Sequence, residues 1–132
     1  YTPGTLNNLL LEHYTRNGMI IVAAKLVFAS GADREKAVKL SIPIQQATRD
    51  QEPGCHVYCF APDPCDPLAI QVYELWEDSD SLAAHFEHKN YDDMVQMFAD
   101  VGFSESINRA YLTERNEPVY GPNFERKSSF FD

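Results

Sequence analysis

The chain has 132 residues, and its 20 acidic and 11 basic side chains give a net charge of −9. A single domain of this length buries roughly two-thirds of its unfolded surface, so it can fold without disulfide staples. The charge excludes nucleic acid and an anionic membrane surface as natural partners, because both require clustered Lys and Arg, and the only local basic pair is Arg126-Lys127.

Three cysteines are an odd number, which rules out a complete disulfide framework and favours a reducing, cytoplasmic setting with free thiols. Cys55 and Cys59 lack the spacing of zinc or redox pairs and read as packing groups. Leu9-Leu10-Leu11 is too short for a leader core, and no apolar run reaches membrane-spanning length.

Residues 1–18 read as an N-terminal extension with one short helix, capped by Thr5 and carrying Leu6, Leu10, His13 and Tyr14 at helical spacing. The main domain is expected over residues 19–116. Its first strand, Met19 to Phe28, is apolar on both faces apart from Lys25. Ser30-Gly31 turns the chain into a helix from about Asp33 to Gln51, with Ala37, Leu40, Ile44 and Ala47 as its apolar stripe. Pro43 predicts a kink or break within it.

Pro53-Gly54 starts a second strand, Cys55 to Phe60, in which Cys55, Val57 and Cys59 face one way and His56, Tyr58 and Phe60 the other. A proline-rich loop leads to the third strand, Leu68 to Glu77, where Glu74 and Trp76 share a face with Ile70 and Val72. Asp78 caps a helix whose Leu82, His85 and Phe86 lie on one side. Another helix, Tyr91 to Val101, stops at Gly102, and the last strand runs from Ile107 to Arg115. Residues 117–132 form a C-terminal arm broken by Pro118, Gly121 and Pro122, whose Phe124, Phe130 and Phe131 call for apolar cover on their own chain or a partner.

The order β-α-β-β-α-α-β predicts an α+β, ferredoxin-like split βαβ fold: an antiparallel sheet with helices on one face. Strands apolar on both faces need cover on both. A homodimer that packs two sheets together into an α/β barrel supplies it.

His85 is the leading candidate for chemistry, since its helix face turns the ring toward the sheet, and histidine titrates near neutral pH. The alternative is a core histidine tied to a carboxylate, with Glu74 as the candidate partner. If the Glu74 and Trp76 face meets the helices, Glu74 orients His85 or accepts a substrate proton, while Trp76 stacks on a planar ring. If it meets a second sheet, both become interface anchors. Tyr58 is placed to donate to a substrate oxygen or to pack at the rim. Lys25 either stretches its stem over the sheet to pair with an acid or stabilises a phenolate, a role also open to Arg109. His85, Glu87 and His88 lack a convincing third ligand, so no metal is expected. No glycine-rich phosphate loop signals a nucleotide or flavin cofactor.

Met19 to Val27, the run Glu52-Pro53-Gly54-Cys55 with Tyr58, and Glu74-x-Trp76 followed by Leu82-Ala83-Ala84-His85 resemble, in order and spacing, the antibiotic biosynthesis monooxygenase domain family. This is a branch of the dimeric α/β-barrel superfamily, and the likeness spans roughly Met19 to Glu114. It implies a homodimer that oxidises a small aromatic, quinol or polyketide-type substrate with dioxygen and without cofactor. His85 would be the base, Glu74 its orienter, and Trp76, Tyr58, Lys25 and Arg109 the substrate-binding groups. The family also includes isomerases and proteins without known activity, which leaves a proton-shuttling isomerase or a non-catalytic ligand-binding dimer as alternatives. Haem-degrading relatives use Asn, Trp and His where this chain has Lys25, His85 and Val95, so that activity is not implied.

Overall fold

The computed structural model describes residues 18–132, and the helix expected around Thr5 lies outside them. The elements follow in the order β1 (Ile20–Val27), α1 (Gly31–Gln51), β2 (Cys55–Pro62), β3 (Ala69–Trp76), α2 (Ser79–Phe86), α3 (Lys89–Val101) and β4 (Glu105–Leu112). The sheet order is β2-β3-β1-β4 with every neighbour antiparallel, which is the ferredoxin-like arrangement. Last-strand pairing starts two residues earlier than the sequence suggests because the Ser104 N–H and hydroxyl both donate to the Val27 carbonyl.

The core lies between the sheet and the helices, where Leu26, Tyr58, Ile70, Val72 and Trp76 meet Met94 and Phe98. No helix among the described residues is long and apolar enough to cross a membrane. The opposite sheet face carries Tyr73, Ile107 and Tyr111, which are 40%, 63% and 54% exposed.

Three local expectations are corrected. Helix α1 runs unbroken through Pro43. Proline removes one N–H and so frees the Lys39 carbonyl, but both residues face solvent, where water replaces the bond. The helix face laid on the sheet matches the apolar stripe only in part: Ala37 is in the core and Ile44 packs against it, whereas Leu40 is exposed and the polar Ser41, Gln45 and Thr48 are buried. The third correction concerns the cysteines. A bulge between Cys55 and Val57 reverses the alternation, so Cys55 packs on the helix-side core, away from the face that holds Val57 and Cys59.

Gln45 explains the polar face of α1. Strand β2 is a sheet edge, and an unpaired edge needs partners for its outward backbone groups. The Gln45 side chain donates from Nε2 to the Phe60 carbonyl at 3.0 Å and accepts the Phe60 N–H on Oε1 at 2.9 Å. Arg49 adds a bond from Nε to the Tyr58 carbonyl at 2.7 Å. The helix thus replaces a missing strand along the segment that carries Tyr58.

The aromatic arm does not bury itself on its own chain: Phe124 is 85% exposed. The segment closes on itself instead. Glu117 accepts from Lys127 Nζ and from the Phe131 N–H, and Arg115 donates to the Phe131 carbonyl.

Gln45→Leu keeps the side-chain volume but strands two backbone groups at a covered edge. It is expected to destabilise the fold by about 1–3 kcal/mol in urea unfolding. A loss under about 0.5 kcal/mol, the scatter of ordinary surface changes, would show that water serves this edge equally well.

Candidate functional site

A cavity of about 440 Å³ opens between the helix-side face of the sheet and helices α2 and α3. Its walls are largely apolar and aromatic, with Phe60, Phe86, Tyr91, Met94 and Phe98 among them. The polar groups are few: Glu74, His85, Tyr58 and Tyr91, whose ring lies 5.5 Å from that of His85, on one side, and Ser106 and Asn108 on the other.

Local structure delivers His85 to this cavity. Asp78 caps α2 by accepting the Ser81 N–H at 2.8 Å, which sets the helix phase so that His85, in the last turn, faces inward and is 3% exposed. The preceding turn holds α2 close. Gly54 has φ +82, and a Cβ at that position would run into the Ser81 side chain, so only glycine lets the turn and the helix start approach this closely. The same turn carries Glu52, whose N–H ends α1 on the Thr48 carbonyl.

Glu52, not Glu74, holds the imidazole. Its Oε1 lies 2.7 Å from His85 Nδ1, and its Oε2 accepts from Asn90 Nδ2 at 3.1 Å. An ionised carboxylate can only accept, so Nδ1 carries the hydrogen and Nε2 is left as the basic nitrogen. The Nδ1 contact to Glu52 is the ring's one hydrogen bond among the described residues. Sequence reasoning quoted Glu52 as part of a turn but assigned it no role. Its one legible signal was a carboxylate standing next to Pro53-Gly54 where a long helix ends.

Glu74 sits on the same sheet face and has a different partner. Trp76 Nε1 donates to its Oε1 at 2.9 Å, joining alternate residues of β3. Burial pushes the Glu74 carboxyl up to about 7, against the lowering effect of the Trp76 bond and with a further push from the Glu52 charge. Burial, reinforced by the charges of Glu74 and Glu52, also holds the Tyr58 phenol well above its ordinary range, in its protonated, hydrogen-donating form.

Trp76 is fully buried, its ring 4.7 Å from that of His85, and it is absent from the cavity wall. It supports the imidazole and Glu74 from behind, so the expected stacking on a substrate is corrected. Tyr58 lines the cavity with its ring 5.4 Å from His85. His85, Glu74, Trp76 and Tyr58 are therefore brought together. Lys25 and Arg109 are not: strand alternation places both on the opposite sheet face, away from the cavity-lining Val22, Ala24 and Asn108. Lys25 reaches Asp66 there at 3.6 Å. His88 accepts the Asn90 N–H on Nδ1 and caps α3. Among the described residues no three His, Cys, Asp or Glu side chains form a metal-binding group.

Residues 19–97 match the family model described as antibiotic biosynthesis monooxygenase. The chain belongs to that family. No curated protein matches the sequence. Among solved structures, a candidate antibiotic biosynthesis monooxygenase of Deinococcus radiodurans is similar at TM-score 0.68 and 20% identity, over 77% of this chain and 99% of that one. A Caulobacter crescentus candidate of the same description is similar at TM-score 0.67 and 20% identity, covering 77% and 95%. A third, from Nitrosomonas europaea, gives TM-score 0.65 and 19% identity over 75% and 93%. At these identities the likeness establishes the shared fold. Within the monooxygenase family, the particular character of this chain rests on the side chains in its cavity.

The Glu74 environment has a measurable consequence. Its pKa is raised from 4.5 to about 7 on folding, so between those values the folded chain keeps a proton that the unfolded chain has released. Stability contributed by this group is therefore present at low pH and falls as pH rises through that window, by about 3 kcal/mol in all. Glu74→Gln should remove that loss, leaving the variant more stable than wild type at pH ~8 by up to about 3 kcal/mol and gaining almost nothing at pH ~4. Parallel urea titrations at the two pH values check this, and an equal offset at both would show that Glu74 does not titrate there.

Proposed function

We propose that this protein is a monooxygenase that oxidises a small planar phenol or quinol with dioxygen, using His85 as base and Glu74 as proton donor. The observation that carries the reading is the placing of an imidazole and a buried carboxyl beside one apolar, aromatic-walled cavity. The His85 imidazole has its Nδ1 committed to Glu52, which leaves Nε2 for the substrate, and burial raises the Glu74 carboxyl to about 7, so that it can hold or release a proton near neutral pH. A base and an acid held apart in character by their surroundings are what proton transfer at a reacting ring requires.

The chemistry balances without an external reductant. His85 Nε2 takes the phenol proton, and the phenolate gives one electron to dioxygen, forming a ring radical and superoxide. These combine at the para carbon of a phenol that bears hydrogen there, making the new C–O bond. In a quinol, whose para carbon already carries oxygen, the bond forms at a neighbouring ring C–H carbon instead. Glu74 protonates the peroxide, then recovers the proton released from the ring C–H as the O–O bond breaks. The departing hydroxide takes the proton held on His85 and leaves as water. One phenol and one dioxygen give one para-quinone and one water. The Tyr58 hydroxyl is available to donate to the substrate oxygen.

A second reading, proton-shuttling isomerisation, draws on the same acid and base but consumes no oxygen. Turnover of quinols and polyphenols under air and under nitrogen separates the two. Oxygen-dependent loss of substrate is expected, with His85→Ala lowering kcat by about 100-fold or more and leaving KM nearly unchanged. Glu52→Gln is expected to lower kcat less and to move the pH profile, because it changes the imidazole's partner while leaving the base. Full activity in His85→Ala would overturn the assignment.

The assembly we propose is a homodimer that covers the helix-free sheet face, where Tyr73, Ile107 and Tyr111 stand in solvent in the single chain. Sedimentation across a dilution series is expected to show a dimer without a stable folded monomer. A well-folded monomer at micromolar concentration would contradict it.

A further inference from the structure

The cavity has a second polar place that the proposed chemistry leaves unused. Ser106 and Asn108 are alternate residues of β4, so both point from the strand to the cavity side. Their neighbours across the sheet on that side, Leu26 and Ala24, are apolar. Asn108 Nδ2 donates to Ser106 Oγ at 2.6 Å, which fixes the two side chains as a unit. With that bond made, the Ser106 hydroxyl can still donate its own hydrogen and Asn108 Oδ1 can still accept one. This combination is complementary to a hydroxyl, which accepts the first and donates to the second.

Its place relative to the reacting groups follows from the register. Asn108 pairs with Ala24, which pairs with Val72, and Glu74 is the next residue of β3 on the cavity side. Two interstrand spacings and one two-residue step separate the Cα atoms of Glu74 and Asn108 by about 12 Å. Between them the floor is made of Val22, Ala24 and Val72, which offer no hydrogen bond. A flat apolar body lying on this floor therefore has polar partners at its two ends only.

We propose that Ser106 and Asn108 form a specificity subsite that binds a hydroxyl on the end of the ligand remote from His85 and Glu74. The inference rests on the planar-ligand reading of the cavity and adds to it a requirement for a second oxygen function at the far end. Ser106 and Asn108 touch no reacting atom. They select and orient the ligand.

Calorimetric titration with para-phenylphenol and para,para′-biphenol tests this, since the two share a two-ring body and differ in the distal hydroxyl. Wild type is expected to bind the biphenol more tightly. Asn108→Ala should weaken the biphenol about fivefold, the size of one neutral hydrogen bond, and leave phenylphenol within about twofold. Ser106→Ala should show the same split. An equal effect on both compounds, or on neither, overturns the subsite while leaving the aromatic cavity in place. Wild type that binds neither compound overturns the planar-ligand reading, and the subsite falls with it.

Discussion

The 2.7 Å contact between Glu52 and His85 joins residues at opposite ends of the fold's connections: one at the close of α1, the other in the last turn of α2. Both side chains are almost wholly buried, at 4% and 3% exposure. A buried carboxylate is costly unless its oxygens are satisfied, and here His85 and Asn90 satisfy one each. The pair therefore ties α1, α2 and α3 together and at the same time decides which imidazole nitrogen is left to do chemistry. Structure and proposed function depend on a single interaction.

Around that bond the remaining elements have recognisable tasks. Gly54 lets the Glu52 turn come against Ser81, and Asp78 sets the phase of α2. Trp76 closes the rear of the imidazole and holds one oxygen of Glu74. Gln45 and Arg49 secure the backbone of β2 where Tyr58 and Phe60 enter the cavity. The two acidic side chains differ in environment. Glu52 has two donors, whereas Glu74 has Trp76 alone among the described residues and burial raises it to about 7. The acid thus arises chiefly from burial and the base from the bond that commits Nδ1, on a scaffold shared with distant structures.

Much of this arrangement was legible in the residue pattern. Period-two alternation put Glu74 with Trp76 and Tyr58 with Phe60, and helical spacing put His85 with Leu82; each of these pairings concerns one element, where local geometry suffices. What failed was information held between elements. Whether Lys25 and Arg109 share the cavity depends on the register of β1 against its neighbours, and one residue of difference moves a side chain to the other face. The bulge at Cys55 is invisible to alternation counting. Apolar spacing found Ala37 and Ile44 but missed Gln45 on the inward face of α1, because that residue serves an edge strand's backbone, a task for an amide. Glu52 was missed because its partner lies 33 residues away, across a turn whose geometry no periodicity reports.

The account stands on the imidazole of His85 presenting Nε2 to the cavity, with Nδ1 committed to Glu52. Heteronuclear NMR of the imidazole nitrogens reads this directly in the neutral ring. The expected result is a single tautomer with hydrogen on Nδ1 and an unprotonated Nε2, with that preference weakened in Glu52→Ala. A neutral His85 with its hydrogen on Nε2, unaffected by the loss of Glu52, would contradict the account.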